Sequence, residues 1–401
     1  MTKPFPGPSG ANNCERKTGG LAIAMLSLAA FFIVTTEFII VGLIPKLAKD
    51  LNISVALAGQ LVTSFAFTVA LAGPVLTIWL TRFERRQLFI WIAVAFSVCN
   101  AAAALAPNYW TLMLARIVPA ALIPVFWGIG SEAAGQIVSK ERAGKAVAQV
   151  YFGVTAALLF GIPLGTVLGD ALGWRPTFWV LSVLCLALAP LLRLTMPRID
   201  AGPRQSMRSQ SAILGNRYFL ANLVLSLAIF TAMFAGYTYL ADLLERSAGL
   251  PSADIGWWLM GFGTIGLFGN YFAGRMVDGY AVRATVMFCV LLALGAASAA
   301  VFAQYLFPFV VALGMWGLAH TALFPLCQVR VMNAAENCKA LAGTLNISAA
   351  NAGIGLGAML GGLAISHSGV TAAIIGASVL ITVCAVAAPI VERMRPSRWA
   401  Q

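Results

Sequence analysis

Apolar runs of about twenty residues follow one another along the whole chain, separated by short polar segments. The first is LAIAMLSLAAFFIVTTEFIIVGLIP, residues 21–45. A helix needs about twenty apolar residues to cross the ~30 Å hydrocarbon core of a bilayer. Twelve stretches qualify: 21–45, 57–80, 88–106, 110–138, 146–170, 176–194, 218–240, 255–274, 284–303, 306–332, 341–366 and 370–391. The period-2 alternation of a membrane barrel is absent. The pattern predicts an all-α polytopic membrane protein with twelve transmembrane helices. The first run is too long for the apolar core of a cleaved signal and no small-x-small site follows it, so it is expected to be retained as a span.

Composition agrees: 60% of the 401 residues are hydrophobic and 10% are charged, against about 25% charged in a soluble domain. The net charge of +12 would suit nucleic acid in a soluble chain, but here its placement points to the bilayer and away from nucleic acid. With the N-terminus set inside, 21 of the 26 Lys and Arg fall in inner segments. The outer loops hold only Lys46, Lys49, Arg175 and Arg246. Basic residues collect on the cytoplasmic side of membrane proteins, so both termini are expected there, in a bacterial inner membrane. The seven cysteines show no paired spacing and most lie in apolar runs, which reads as packing and not as disulfides or a metal site.

The connection RLTMPRIDAGPRQSMRSQSAILGNR, 193–217, is polar and basic and contains prolines and glycines. It divides the spans six and six, giving an N-terminal half (1–195), a cytoplasmic linker (196–217) and a C-terminal half (218–401). A shift of 196 residues lays Gly73 on Gly269, and Gly161, Gly165 and Gly173 on Gly357, Gly361 and Gly369. Such register implies two parallel six-helix repeats, and paired repeats of this kind enclose a midplane site.

Most catalytic chemistry is excluded. The phosphate-loop pattern and H-E-x-x-H are absent. GFGTIG (261–266) matches G-x-G-x-x-G but lies inside an apolar run with no preceding strand. No soluble segment is large enough for a nucleotide-binding domain, so no cofactor is expected and any pumping draws on an ion gradient. Ionisable groups at membrane depth are costly and mark function. Glu37 in span 1 and Arg116 in span 4 each lie about 12 Å from the outer end. Glu37 has two readings: a structural ion pair with Arg116, or a carboxylate that takes up and releases a proton. Arg116 does not titrate; it would tune its neighbour or hold an anion. Glu132, nearer the inner end of span 4, is expected to pair with inner-loop arginines. His320 in span 10 is either an interior hydrogen-bonder or a substrate or proton group. Gln60, Asn346 and Asn351 are expected to face the central cavity, and Phe126, Trp127, Tyr237 and Trp316 to line an aromatic pocket in it.

Four segments carry a family resemblance: TTEFIIVGLIP (35–45), GPVLTIWLTRFERRQL (73–88), LARIVPAALIPVFWG (114–128) and GIPLGTVLGDALGWRPTF (161–178). Over nearly its whole length the chain resembles twelve-span major facilitator transporters of the drug:proton antiporter type, close to bacterial sugar-efflux and nucleoside-efflux permeases. The resemblance implies proton coupling or cation recognition at Glu37 and proton transfer at Arg116. It makes Gly161, Pro163, Gly165 and Gly169 a bending and sealing element. Gly73, Arg82, Arg85 and Arg86 become the loop that latches the halves on the inner side. Two departures resemble the sugar-efflux branch: Thr77 stands where the superfamily loop has an aspartate, and Gly161-Ile162-Pro163 replaces Gly-Pro. The expected function is proton-coupled export of a small organic solute by a functional monomer. The alternative is an uncoupled facilitator or importer, and an enzyme is not expected.

Overall fold

A computed structural model describes residues 9–80, 82–138, 143–199, 215–335 and 339–395. Among them every long element is a helix: α1 (Ser9–Asp50), α2 (Val55–Leu80), α3 (Arg85–Ala104), α4 (Tyr109–Ile137), α5 (Ala143–Ala156), α6 (Ile162–Leu172), α7 (Trp174–Thr195), α8 (Arg217–Tyr237), α9 (Ser252–Val301), α10 (Leu306–Asn333) and α11 (Lys339–Arg393). Ten helical stretches among the described residues are long and apolar enough to cross a membrane.

The twelve expected spans fall on fewer helices because α9 and α11 each hold two of them. Within α11, Gly369 takes φ 83° and ψ 171°, a break that separates spans 11 and 12. In α9 the reversal follows from packing. A Cβ on Gly269 would strike the Leu318 carbonyl oxygen, and one on Gly295 would come within 2.6 Å of the Trp316 backbone nitrogen. A straight helix would hold the two glycines about 39 Å apart at 1.5 Å per residue. They touch nearly the same turn of α10, so α9 doubles back between them.

Polar side chains set several helix starts. Asn108 and Thr111 form a reciprocal capping box before α4, and Asn216 accepts from the Tyr218 and Phe219 amides before α8. Both arrangements satisfy amides that the first turn leaves free. Glu84 accepts likewise from Arg86 and Gln87 at the start of α3. Span 5 is one crossing with a π-helical turn, Ala157–Gly161, between α5 and α6. Pro163 cannot donate back to Leu159, which explains why the ladder loosens there.

The 196-residue register reappears in the packing. A Cβ on Gly161 would strike the Thr35 side chain, and one on Gly357 would strike the backbone at Thr231, 196 residues later in both partners. Gly165 lies against Ile39 as Gly361 lies against Ala235. Gly173 and Gly369 share a positive φ, 94° and 83°. Small residues at these crossings let helix backbones approach closely.

The N- and C-terminal sets of helices meet at the end of the bundle opposite the C-terminus of α7 and the N-terminus of α8. There a Cβ on Gly256 of α9 would lie 2.8 Å from the Pro163 carbonyl oxygen and 3.0 Å from the Val167 nitrogen of α6. Gly59 of α2 packs on Tyr239, whose hydroxyl donates to the Ala358 carbonyl at 2.7 Å. The expected linker falls mainly on residues 200–214, outside the described residues. Of the cysteines, Cys99, Cys185, Cys289, Cys327 and Cys384 are free, and all but Cys99 are buried; Cys14 and Cys338 lie outside the residues whose side chains are described.

Candidate functional site

Four consecutive residues of α1 face four different directions, because each helical step turns about 100°. Thr35 lies against Gly161. Thr36 accepts a hydrogen bond from Asn100 Nδ2 of α3, 3.2 Å from its hydroxyl. Phe38 packs on Phe234 of α8, ring centroids 5.8 Å apart. Between them sits Glu37, half-buried.

Arg116 is buried, and α4 delivers it to this same turn. Its Nη1 donates to the Thr36 carbonyl at 3.0 Å and its Nη2 to the Glu37 carbonyl at 2.9 Å. The guanidinium also lies over the Phe65 ring of α2, 4.5 Å from its centroid. Its Nε is buried without a partner. Of the two readings of Glu37, the side-chain ion pair is not formed: among the described residues the Glu37 carboxylate has no hydrogen bond and no ion-pair partner. The physical reason is that Arg116's fork is already filled by two main-chain oxygens. Its charge still acts on the carboxylate.

A narrow cavity opens one turn away. Phe38 of α1 lines it, with Val154, Leu158 and Ile162 of the fifth crossing. From the C-terminal helices come Phe234 and Tyr237 of α8, Phe262 of α9, and His320, Thr321 and Phe324 of α10. His320 stands at the centre of the aromatic side, with Tyr237 4.4 Å away at 32°. The cavity thus lies between the two sets of helices, and only its polar members and His320 break an apolar wall.

The structure brings Tyr237 and His320 to this cavity and leaves other expected pocket residues elsewhere. Phe126 lines a separate apolar void with Phe32, Phe89, Phe96 and Cys185. Trp127 packs on Tyr151 with the rings tilted by 32°. Trp316 sits behind Phe262, edge to face, with its Nε1 buried and unpaired. Asn346 donates to Gln328 at 2.6 Å and accepts from Ser226 at 2.6 Å, tying α11 to α10 and α8. Asn351 donates to Ile347 of its own helix, and its Oδ1 is buried without a partner. Gln60 lies against Gly362, where α2 meets α11. Asn346, Gln60 and Trp316 are placed by helix–helix contacts, which a count of polar and aromatic residues in apolar runs does not reveal.

Of the motif residues, Gly161, Gly165 and Gly169 pack in a row on Thr35, Ile39 and Leu43 of α1, and Pro163 begins α6 beside Gly256. Arg82 lies over the Trp79 ring at 4.2 Å. Arg85 is buried, and its amide donates to the Ile199 carbonyl at 3.0 Å, joining the start of α3 to the segment after α7. Arg86 is half-buried. Gly73 and Glu132 lie on α2 and α4 at positions outside the described side chains. Sequence reasoning missed Phe38, Phe234, Phe262 and Phe324. One signal was present: Phe230, Phe234 and Tyr237 recur at helical spacing on α8, as do His320 and Phe324 on α10.

The fold and the sequence have close counterparts. The model of the Major Facilitator Superfamily matches residues 26–251 and 225–401. The inner membrane transport protein YdhP of Escherichia coli K12 is 33% identical over 342 residues, covering 85% of this chain and 88% of that protein. The MFS-type transporter YtbD of Bacillus subtilis is 32% identical over 347 residues, covering 85% and 88%. A bacterial homologue of the human lysosomal transporter Spinster, solved inward-facing and occupied, superposes with a TM-score of 0.78 at 15% identity, over 93% of this chain and 96% of that one.

Proposed function

The chain belongs to the major facilitator superfamily, and from that premise we propose that it is a proton-coupled exporter of small organic solutes working by alternating access. The observation that carries this reading is the Glu37 carboxylate, half-buried, without a partner among the described residues and beside a buried cation. An acid inside a bundle is costly unless it has a task, and a carboxylate not locked in a salt bridge is free to exchange a proton. The packed end at Gly256, Pro163 and Val167 supports a bundle closed on one side. The charge bias supports naming that side the outside, with both termini cytoplasmic. The described inner-membrane location of YdhP supports the same membrane here. Protonation of Glu37 from outside would accompany release of solute, with the chain acting as a monomer.

The test uses inverted membrane vesicles carrying a pH-sensitive dye. A panel of drugs, purine analogues and sugar analogues is added to energised vesicles. Antiport predicts solute-induced loss of the proton gradient with the wild-type protein and none with Glu37→Gln. Equal gradient loss in that variant would remove Glu37 from the coupling site. Solute movement indifferent to a protonophore would establish the uncoupled facilitator instead.

A further inference from the structure

The cavity beside α1 holds an imidazole with nothing to bond. His320 is 3% exposed, and four rings surround it: Phe234 at 5.5 Å, Tyr237 at 4.4 Å, Phe262 at 5.9 Å and Phe324 at 5.8 Å between centroids. Its Nδ1 is buried without a partner, and neither ring nitrogen makes a hydrogen bond among the described residues. The Tyr237 hydroxyl makes none either. Thr321, the other polar side chain on the wall, has used its only proton: its hydroxyl donates to the Gly266 carbonyl. Buried polar groups in native proteins are nearly always satisfied, so an exception calls for a partner.

We propose that His320 and Tyr237 form the recognition point for an uncharged, planar aromatic solute that presents one donor–acceptor edge. No lining residue is ionisable apart from His320 and Tyr237, so nothing there neutralises a charged solute. A hexose carries a hydroxyl on nearly every carbon, and two free polar groups would leave most of them unpaired in an apolar enclosure. A flat ring instead buries its apolar faces against the rings that line the cavity, Phe38, Phe234, Phe262 and Phe324, and offers its single polar edge to the imidazole and the Tyr237 hydroxyl. The geometry therefore selects one solute class from those an exporter of this kind handles. The inference rests on this cavity being the transported solute's site.

The test is equilibrium dialysis of the purified protein in detergent with no ion gradient, so failure of proton coupling leaves it intact and failure here leaves coupling intact. Three probes are compared: quinolin-2-one, its saturated counterpart octahydroquinolin-2-one with the same amide edge, and methyl α-D-glucopyranoside. Saturable binding of quinolin-2-one is expected, at least tenfold tighter than the saturated lactam, with no saturable binding of the glucoside. His320→Ala should weaken quinolin-2-one at least tenfold. Tyr237→Phe keeps the ring and the packing, and should weaken it severalfold even where His320→Ala proves unstable. Equal affinity for both lactams, preference for the glucoside, no saturable quinolin-2-one binding, or undiminished binding in a folded His320→Ala or Tyr237→Phe protein would each overturn the proposal.

Discussion

Arg116 Nη2 lies 2.9 Å from the Glu37 carbonyl oxygen and bonds the backbone of that residue, not its carboxylate. An acid and a base at one depth of a membrane suggest a salt bridge. Here the base braces α1 against α4 and α2, and the acid is left to other chemistry.

The two side chains should therefore be coupled only weakly, by charge through space and not by a hydrogen-bonded pair. Arg116→Met removes two charge-assisted hydrogen bonds, each worth about 1.5–3 kcal/mol, together with the contact on Phe65. It should lower the thermal unfolding temperature in detergent markedly. Glu37→Gln should leave it almost unchanged. A double-mutant cycle should return a coupling of less than about 1 kcal/mol. A coupling of several kcal/mol, the range expected on breaking a buried ion pair, would contradict the geometry.

How much of this was legible beforehand depends on the kind of feature. Crossings were readable because apolar length is imposed by the bilayer, and even the hidden reversal of α9 falls between the expected spans 255–274 and 284–303. The depth match of Glu37 and Arg116 was readable by counting residues. Its chemistry was not, because which atom an arginine reaches depends on the rotation of α1 relative to α4. The same holds for the cavity. Tyr237 and His320 meet there because α8 and α10 are turned toward one another, while Phe126 and Trp127, equally aromatic, are turned into the N-terminal helices. Rotation about a helix axis leaves little trace in a run that is apolar all round.

The repeated glycine contacts predict unequal costs at equivalent positions. Gly161 faces the side chain of Thr35, which can change rotamer. Gly357 faces the Thr231 carbonyl and the Ala235 amide nitrogen, backbone atoms that cannot move aside. Gly357→Val should reduce the yield of folded protein far more than Gly161→Val, measured as the monodisperse fraction on size exclusion after extraction. Equal losses would mean that the α8–α11 contact is looser than its geometry implies.

Asn346 predicts a cost without any change in surface. Its amide donates to Gln328 and its oxygen accepts from Ser226, both at 2.6 Å. Asn346→Leu strands both partners inside the bundle, and each unsatisfied buried group costs about 1–3 kcal/mol. A clear drop in thermal stability is expected. Adding Ser226→Ala and Gln328→Leu, which removes the stranded groups, should restore part of it. No recovery in the triple variant would assign the loss to packing instead.

Backbone conformation supplies the last prediction, with its own internal control. Gly369 holds φ 83° and ψ 171°, a backbone region open essentially to glycine alone and costing an L residue about 1–3 kcal/mol. Nothing lies within 4 Å of a Cβ built there, so any penalty at this position is conformational and not steric. Gly376, seven residues on in the same element, is equally open and has ordinary helical geometry. Alanine there replaces the residue least suited to a helix interior after proline, a gain of up to about 1 kcal/mol. Gly369→Ala should therefore lower the unfolding temperature while Gly376→Ala holds or raises it. The same sign at both sites would mean that the turn between the last two crossings does not require its left-handed residue.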